Sequence, residues 1–318
     1  MKNLFRKYSL FFRIGFTIIL FYILYLITDL NPNELLKTIS NAESNWIIIA
    51  FIIFNVSIFF SSFRWWYILR ILSLKAPIIL CVISYYRSYF MNNFLPSSVG
   101  GDLSRIYSVG KYFNDSDKVI TTVILERVLG LISLVFIAGI GMLFLDLDFY
   151  LEIANLIILV LLTLFLFSLV NPISNQFFLK LISKIPFKFK RSIHNIVETF
   201  QIFSKEPQKL IISLFLSIVF RFVEGLFVWA VVKSLKIDFS IEYVIVLQSI
   251  VNVIKFLPVT INGLGLSEGT WVALTVNTNI GEEKAILISL TAITVSIINS
   301  LIGGVLFLKK TRTSNGNI

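Results

Sequence analysis

The chain has 318 residues, of which 57% are hydrophobic and 14% charged, with a formal net charge of +10 and a mean hydropathy of +0.87. Soluble globular proteins are typically about 45–50% apolar and about 25% charged, so the composition excludes that class and indicates an integral membrane protein. The positive charge does not point to a nucleic-acid partner, because membrane proteins concentrate Lys and Arg in cytoplasmic loops.

Apolar runs long enough to cross a membrane recur along the chain, since about 20 apolar residues span the hydrocarbon core. They lie at about 10–28, 46–63, 119–145, 153–171, 208–232 and 284–308. The first run follows Lys2, Arg6 and Lys7, but no small-residue cleavage site comes after it. We therefore expect a retained span rather than a signal peptide. No window remains for a soluble domain, and we predict one membrane domain over 1–318.

Charges in the links predict the orientation, because basic links stay in the cytoplasm. The link 64–75 and the stretch 173–207 are rich in Lys and Arg, and so are the N-terminus and the tail after 308. The link 29–45 and the acidic loop 146–152 are then outside. We expect a multi-pass protein of a bacterial or archaeal plasma membrane with both termini in the cytoplasm.

Two segments, 76–113 and 241–280, are interrupted by proline and glycine and resemble one another. Both read Phe-Leu-Pro, then glycines, then a carboxylate, Asp102 in the first and Glu268 in the second. The interval between these two carboxylates equals the interval between Lys118 and Lys284, each of which opens a long apolar run. This spacing predicts an internal repeat with halves at about 46–145 and 208–308, joined by 146–207.

The charge rule places both ends of segment 76–113 inside and both ends of segment 241–280 outside. Each segment should therefore enter and leave on one face, as a re-entrant element or a pair of short broken helices. Three crossings separate the segments, so the two copies should be inverted. In the alternative, 76–95 and 241–257 span fully. The predicted fold is an all-α polytopic membrane protein with six to eight transmembrane helices and two broken or re-entrant elements.

Polar side chains at membrane depth mark a candidate substrate path, because inserting a charge costs roughly 2.5–3.5 kcal/mol unless a partner or a water-filled cavity receives it. Arginines and helix N-termini suit a substrate that carries phosphate. The alternative is that these charges form structural ion pairs, such as Glu126 with Arg105 or Arg127 with Asp102. The candidates are Asn93, Pro96, Gly100, Gly101, Asp102, Arg105, Glu126, Arg127, Arg221, Glu224, Pro258, Gly263, Gly265 and Glu268.

Apolar and basic residues recur at helical spacing in 173–207, which predicts an interfacial helix pair on an anionic leaflet. The one histidine of the chain, His194, lies there and predicts no metal site, because metal ions need several ligands at defined spacing. We expect no cofactor and no catalytic residue. Tryptophans near span ends, as in an aromatic belt, are Trp46, Trp65, Trp66 and Trp229.

The motifs together resemble the flippase-like membrane domain shared with lysylphosphatidylglycerol synthases. They are the stretch from Asn92 to Arg105, Glu126-Arg127 with Gly130-Leu131, and the stretch from Phe256 to Gly269. The resemblance covers essentially the whole chain. It implies movement of a lipid or polyprenyl-linked headgroup between leaflets. The synthases add a soluble aminoacyl-transfer domain that is not found in these 318 residues, so lysyl transfer is not expected.

The leading hypothesis is a translocase for an anionic phospholipid or a polyprenyl-phosphate-linked lipid, with a lipid-modifying enzyme as a further partner. A membrane-embedded glycosyl- or aminoacyl-lipid transferase is the second hypothesis. The third is a scaffold that recruits a lipid-modifying enzyme through the basic stretch 173–207.

Overall fold

The fold is that of a computed structural model, in which most of the helical part of the chain is described. The described residues are 22, 37–93, 99–142, 153, 156–157, 160–161, 202–203, 205–255, 260, 263–276, 278, 280–308, 312–313 and 316–317. The predicted span 10–28, most of the span 153–171 and most of the stretch 173–207 lie outside them, as do Pro96 and Pro258.

Helices dominate the described residues, which confirms the predicted all-α class. They are α1 (Ser44–Ile71), α2 (Ile78–Asn92), α3 (Val99–Phe113), α4 (Ser116–Met142), α5 (Pro207–Ser234), α6 (Ile241–Lys255), α7 (Leu266–Thr275) and α8 (Glu282–Leu308). Two strands of two residues each, β1 (Arg312–Thr313) and β2 (Gly316–Asn317), form an antiparallel pair after α8. In this pair Arg312 lies opposite Asn317 and Thr313 opposite Gly316.

Among the described residues, α1, α4, α5 and α8 are long and apolar enough to cross a membrane. Three of them begin and end within a few residues of the spans predicted at 119–145, 208–232 and 284–308. The prediction for α1 was wrong at its C-terminal end, because the helix continues from the predicted residue 63 to Ile71. The two arginines in the C-terminal part of α1 are accommodated by protein groups. Arg64 is buried, and the Arg70 guanidinium lies 4.1 Å from the Trp66 ring.

The helices follow one order twice: long, short, short, long. Helices α1 to α4 have 28, 15, 15 and 27 residues, and α5 to α8 have 28, 15, 10 and 27. The start of α5 follows the start of α1 by the same interval by which the start of α6 follows that of α2. An internal repeat would produce this order, and the repeat itself stays a prediction. The inversion of the copies, their re-entry and the bounds of the halves stay predictions.

Glycines set the turn before α7. Gly263 and Gly265 have φ angles of 78° and 82°, in the left-handed region that side chains with a Cβ rarely adopt. From this turn α7 folds back against α6, with which it packs. The second broken segment thus contains two short helices among the described residues, and its entry and exit on one face stay a prediction.

The described residues divide into two compact units. The first lies within Met1–Ser57, Tyr86–Asp102 and Phe222–Phe307, and the second within Ile58–Tyr85, Leu103–Arg221 and Leu308–Ile318. Each unit takes residues from both halves of the sequence. The second unit has an apolar core whose buried members are Ile68, Ile71, Leu125, Leu129 and Phe203.

Polar bridges and close backbone packing join helices inside the first unit. Asn55 Nδ2 donates to Asn299 Oδ1 at 2.5 Å and the Tyr86 hydroxyl donates to Asn55 Oδ1 at 2.6 Å, so α1, α2 and α8 are linked. A Cβ added at Gly303 would collide with the Tyr86 carbonyl oxygen. Small residues permit such close contact between membrane helices, where interhelical packing replaces the hydrophobic effect.

We expect Gly303→Ala to destabilise the protein by about 2 kcal/mol, because overpacking against backbone costs more than helix propensity returns. The melting temperature in detergent measures this. Gly304→Ala is the matched control, since the three atoms nearest to its added Cβ all belong to the Phe90 ring, the first at 2.7 Å, and a ring can turn. An equal or higher melting temperature for Gly303→Ala would contradict the close packing.

Candidate functional site

A polar cavity lies within the first unit. It comprises about 810 Å³ of space, part of it open to the surroundings, and residues of α1, α2 and α5 to α8 line it. The strongest polar groups on its wall are Glu224, Lys255, Asn92, Asn93 and Gln248. Both signs of charge and three amides therefore meet in one cavity of a mainly apolar protein.

Serine hydroxyls line other parts of the cavity wall. Ser57 donates its proton to the Phe54 carbonyl at 2.7 Å, Ser267 to the Gly263 carbonyl at 3.0 Å, and Ser296 to the Ile293 carbonyl at 2.7 Å. A hydroxyl has one proton and two lone pairs, so these serines can act toward the cavity only as acceptors. The wall can thus receive N–H and O–H groups of a bound molecule.

Aromatic rings form the apolar part of the wall. The Phe54 ring centroid lies 5.1 Å from that of Phe227 and 5.3 Å from that of Tyr89, both with edge-on geometry, and Trp271 also lines the cavity. Edge-on ring pairs favour a fixed geometry. The cavity wall therefore carries aromatic rings as well as polar groups, both of which an amphiphilic ligand requires.

Glu268 is fully buried and holds the start of α7. Its Oε2 accepts from the Gly265 backbone N–H at 2.6 Å, and its Oε1 accepts from the Ser289 hydroxyl at 3.0 Å. A carboxylate at this position satisfies a backbone donor that the helix itself leaves open, and it is favoured by the positive end of the helix dipole. Its neighbour Ser267 and its partner Ser289 line the cavity.

A cluster of ionic side chains lies in the second unit, and we call it the Glu126 cluster: Glu126, Arg64, Arg105 and Tyr85. Glu126 Oε1 accepts from Arg64 Nη2 at 2.6 Å and also from the Tyr85 hydroxyl, while Oε2 accepts from Arg105 Nη1 at 2.7 Å. The four residues come from α1 to α4, one from each helix. Burial is deep, with 3% of Glu126 and 5% of each arginine exposed.

Tryptophan and tyrosine rings enclose this cluster. The Arg105 guanidinium lies 4.9 Å from the Trp65 ring and 4.3 Å from the Tyr85 ring. Trp65 is fully buried and donates its Nε1–H to the Thr122 hydroxyl at 3.0 Å. The expected interfacial position of Trp65 was therefore wrong, because a hydrogen-bond partner for its indole exists inside the helix packing.

Arginine guanidinium groups are concentrated in this region. Two arginines face one carboxylate, and Arg221 comes close as well: the guanidinium carbons of Arg64 and Arg221 each lie 4.9 Å from the Phe220 ring. A Cβ at Gly130 would lie 3.2 Å from Arg221 Nη2 and 3.7 Å from Arg64 Nη1. Within the described residues Arg64 Nε and Nη1 have no hydrogen-bond partner, so both groups can donate to a further acceptor.

The structure brings the candidate residues together in separate groups. Arg105 and Glu126 meet in the Glu126 cluster, as the ion-pair alternative proposed. Asn93 and Glu224 line the cavity, and Asn93 also donates to the Ser300 hydroxyl at 2.6 Å. That these residues form one substrate path, and that Arg221 pairs with Glu224, stay predictions.

The remaining candidates lie at helix starts or on α4. Gly100, Gly101 and Asp102 belong to the first turn of α3, where the Gly101 N–H donates to Asn92 Oδ1 at 2.7 Å. Arg127 is half-buried on α4. Its proposed pairing with Asp102 stays a prediction.

Sequence reasoning missed Arg64, Tyr85, Gln248 and Lys255. Arg64 had been placed in a cytoplasmic link, although the apolar and aromatic run continues on both sides of it, and that continuity was the available signal. Tyr85 and Gln248 gave no signal, since single polar residues in apolar helices are common. In the part of the chain that is described, no three His, Cys, Asp or Glu side chains are grouped as metal ligands.

The family of the lysylphosphatidylglycerol synthase TM region matches residues 12–304, nearly the whole chain. The chain belongs to this family. None of the curated proteins compared with the chain matches it. Family membership and the four long apolar helices together establish a multi-pass membrane protein.

Removing the carboxylate of the Glu126 cluster should be costly. We expect Glu126→Gln to lower the free energy of unfolding by about 3–5 kcal/mol, because two buried guanidinium groups lose their counter-charge. Denaturant unfolding followed by helical circular dichroism measures this. Glu206→Gln is the matched control: its ion pair with Lys209 is also short, 2.9 Å, but exposed, so its loss should cost less than about 1 kcal/mol. Equal effects of the two changes would contradict a buried cluster.

Two substitutions of Glu268 distinguish the effect of its hydrogen-bond acceptor from the effect of its charge. We expect Glu268→Ala to destabilise the protein by about 1 kcal/mol or more, because a buried backbone N–H loses its acceptor. Glu268→Gln retains a carbonyl oxygen for that N–H and should lie close to wild type. Thermal unfolding in detergent measures both variants, and a Gln variant as unstable as the Ala variant would show that the cap is not the main role.

Proposed function

We propose that this member of the lysylphosphatidylglycerol synthase TM region family is a lipid translocase, which moves a polar headgroup between the two leaflets. The observation that supports this most is the polar cavity of the first unit. A headgroup in hydrocarbon loses its hydrogen bonds to water, which costs several kcal/mol for each polar group. A wall of charges, amides and hydroxyl acceptors offers replacements for those bonds.

The chemistry of the wall favours a lipid whose headgroup carries phosphate and hydroxyl or amine groups. The Lys255 ammonium suits a phosphate oxygen as a point charge. Glu224 and the serine oxygens accept from hydroxyl or amine groups, while the rings of Phe54 and Phe227 suit the glycerol and upper acyl carbons. Anionic phospholipids and polyprenyl-phosphate-linked lipids both fit this description.

The same proposal includes the setting of the protein. On the positive-inside rule we place it in the plasma membrane of a bacterium or archaeon, with both termini in the cytoplasm. A lipid-modifying enzyme that makes or uses the translocated lipid is the proposed partner. The basic stretch 173–207, which lies outside the described residues, is a candidate for contact with anionic lipid.

Transport in proteoliposomes tests the proposal. Fluorescent phosphatidylglycerol is placed in both leaflets, and a membrane-impermeant reductant then bleaches the outer leaflet. Wild-type protein should make the inner-leaflet lipid accessible over time. Gln248→Leu should slow this by about tenfold, because an amide hydrogen bond to the headgroup is lost and an apolar group replaces it.

Thr294→Val is the matched control, since Thr294 is an exposed residue of α8 that does not line the cavity. It makes a polar-to-apolar change without altering the wall, so its transport should equal that of wild type. Wild-type vesicles no faster than protein-free vesicles would overturn the proposal. The lipid recovered afterwards should have an unchanged headgroup mass, whereas a transferase supplied with a donor would alter it.

A further inference from the structure

The Glu126 cluster of the second unit occupies the repeat positions that line the cavity in the first unit. The first residues of α1 and α5 differ in residue number by the same amount as the first residues of α2 and α6. Applying this constant difference, or shift, pairs each residue of α1 and α2 with one residue of α5 and α6. Under this shift Arg64 corresponds to Phe227 and Tyr85 corresponds to Gln248. Both counterparts line the cavity. Of the 28 residues in α5 only three line the cavity. Few residues of α5 could therefore have given such a match.

The other members of the cluster follow the same rule. The start of α8 follows the start of α4 by the same interval by which Glu268 follows Asp102. Under this second shift Arg105 corresponds to Trp271 and Glu126 corresponds to Ala292. Trp271 and Ala292 are again cavity residues. All four residues of the cluster therefore have counterparts on the cavity wall.

The surroundings of the cluster correspond as well. Phe220, on which the Arg64 guanidinium lies, corresponds to Ser57, and Gly130 corresponds to Ser296. Ser57 and Ser296 line the cavity. Where the first unit has Ala292 and Ser57, the second unit has Glu126 and Phe220. At these two positions the second unit has the larger side chain, and an ionic network joins residues whose counterparts line the cavity of the first unit.

We propose that the second unit carries a second headgroup site, closed in this structure by the Glu126 cluster, and that this site takes the phosphate group of a lipid headgroup. The inference rests on the proposed translocase function and names a second binding place for its substrate. In inverted-repeat transporters one repeat moves against the other, so that access to the substrate alternates between the two faces of the membrane.

The chemistry of the closed site indicates phosphate. Arg64 and Arg105 hold a carboxylate through short contacts that Tyr85 completes, and the planar guanidinium group binds carboxylate and phosphate with the same geometry. The Glu126 carboxylate is therefore an internal stand-in for the ligand. Among the described residues Arg64 Nε and Nη1 have no partner and can donate to a further anion.

Competition between Glu126 and the ligand makes the proposal testable by binding alone. Phosphatidylglycerol is titrated into purified protein in neutral detergent micelles, and the melting temperature reports binding, because a ligand of the folded state stabilises it. Glu126→Gln removes the internal competitor. We expect its half-saturating lipid concentration to be about tenfold lower than that of wild type, one charged hydrogen bond being worth that much or more.

Controls separate charge removal from a general loss of structure. Glu206→Gln deletes an exposed carboxylate and should leave the half-saturating concentration at the wild-type value. If Glu126→Gln does not fold, Glu126→Asp keeps the charge but shortens the side chain, so it competes less well for the arginines and should lower the concentration by about threefold. Adding Arg64→Gln to either variant should abolish the gain. No gain in Glu126→Gln or Glu126→Asp overturns the proposal.

Two further ligands identify the source of the phosphate. Diacylglycerol has the same chains without phosphate, and an equal effect of it would overturn phosphate recognition. Inorganic phosphate at the same concentration tests for the free anion, and equal stabilisation by it would overturn the lipid as source. The assay involves no transport, so inactive proteoliposomes with an intact Glu126→Gln gain would count against the translocase function alone.

Discussion

The packing of α1 to α4 against one another depends on one buried carboxylate. Glu126 accepts hydrogen bonds from Arg64, Tyr85 and Arg105, and each donor comes from a different helix. Apolar side chains cannot specify which faces of membrane helices meet, because lipid tails are as apolar as the side chains. Ionic hydrogen bonds in a low dielectric do specify it, since any other register leaves a charge buried without a partner.

In the first unit, neutral groups and close backbone contact carry part of the helix packing. Asn55, Tyr86 and Asn299 bridge its helices by neutral hydrogen bonds, and Gly303 lets two backbones approach. With its helices held in this way, the residues at the positions that match the Glu126 cluster are left to line a cavity rather than to join helices. The Glu126 cluster thus fills its place in the second unit with side chains, whereas the cavity of the first unit is open.

Part of this structure could be predicted from the sequence, and the limits have physical causes. Long apolar runs indicated α4, α5 and α8, and the charged pair Arg105 and Glu126 was found because a charge in hydrocarbon is rare. The C-terminal end of α1 was missed because the positive-inside rule assigned Arg64 to a cytoplasmic link. In the structure Arg64 forms an ion pair with Glu126 inside the protein. Cavity residues such as Gln248 could not be found, since which helix face turns toward a cavity depends on tertiary contacts that no local pattern contains.

The acidic residues at the broken segments were the most conspicuous feature of the sequence. Glu268 shows the structural role that such an acid can have. Its carboxylate binds the Gly265 N–H and the Ser289 hydroxyl, so it fixes the turn on which α7 depends. A broken helix at membrane depth exposes backbone donors, and a nearby acid is the simplest group to satisfy them. The acid therefore marks where the chain is broken, while the faces of the helices that follow the break, with Ser267 and Trp271, supply the wall. The motif that ends in Glu268 thus marks the framework of the cavity, and Ser267 and Trp271 of the cavity wall lie within one helical turn of it.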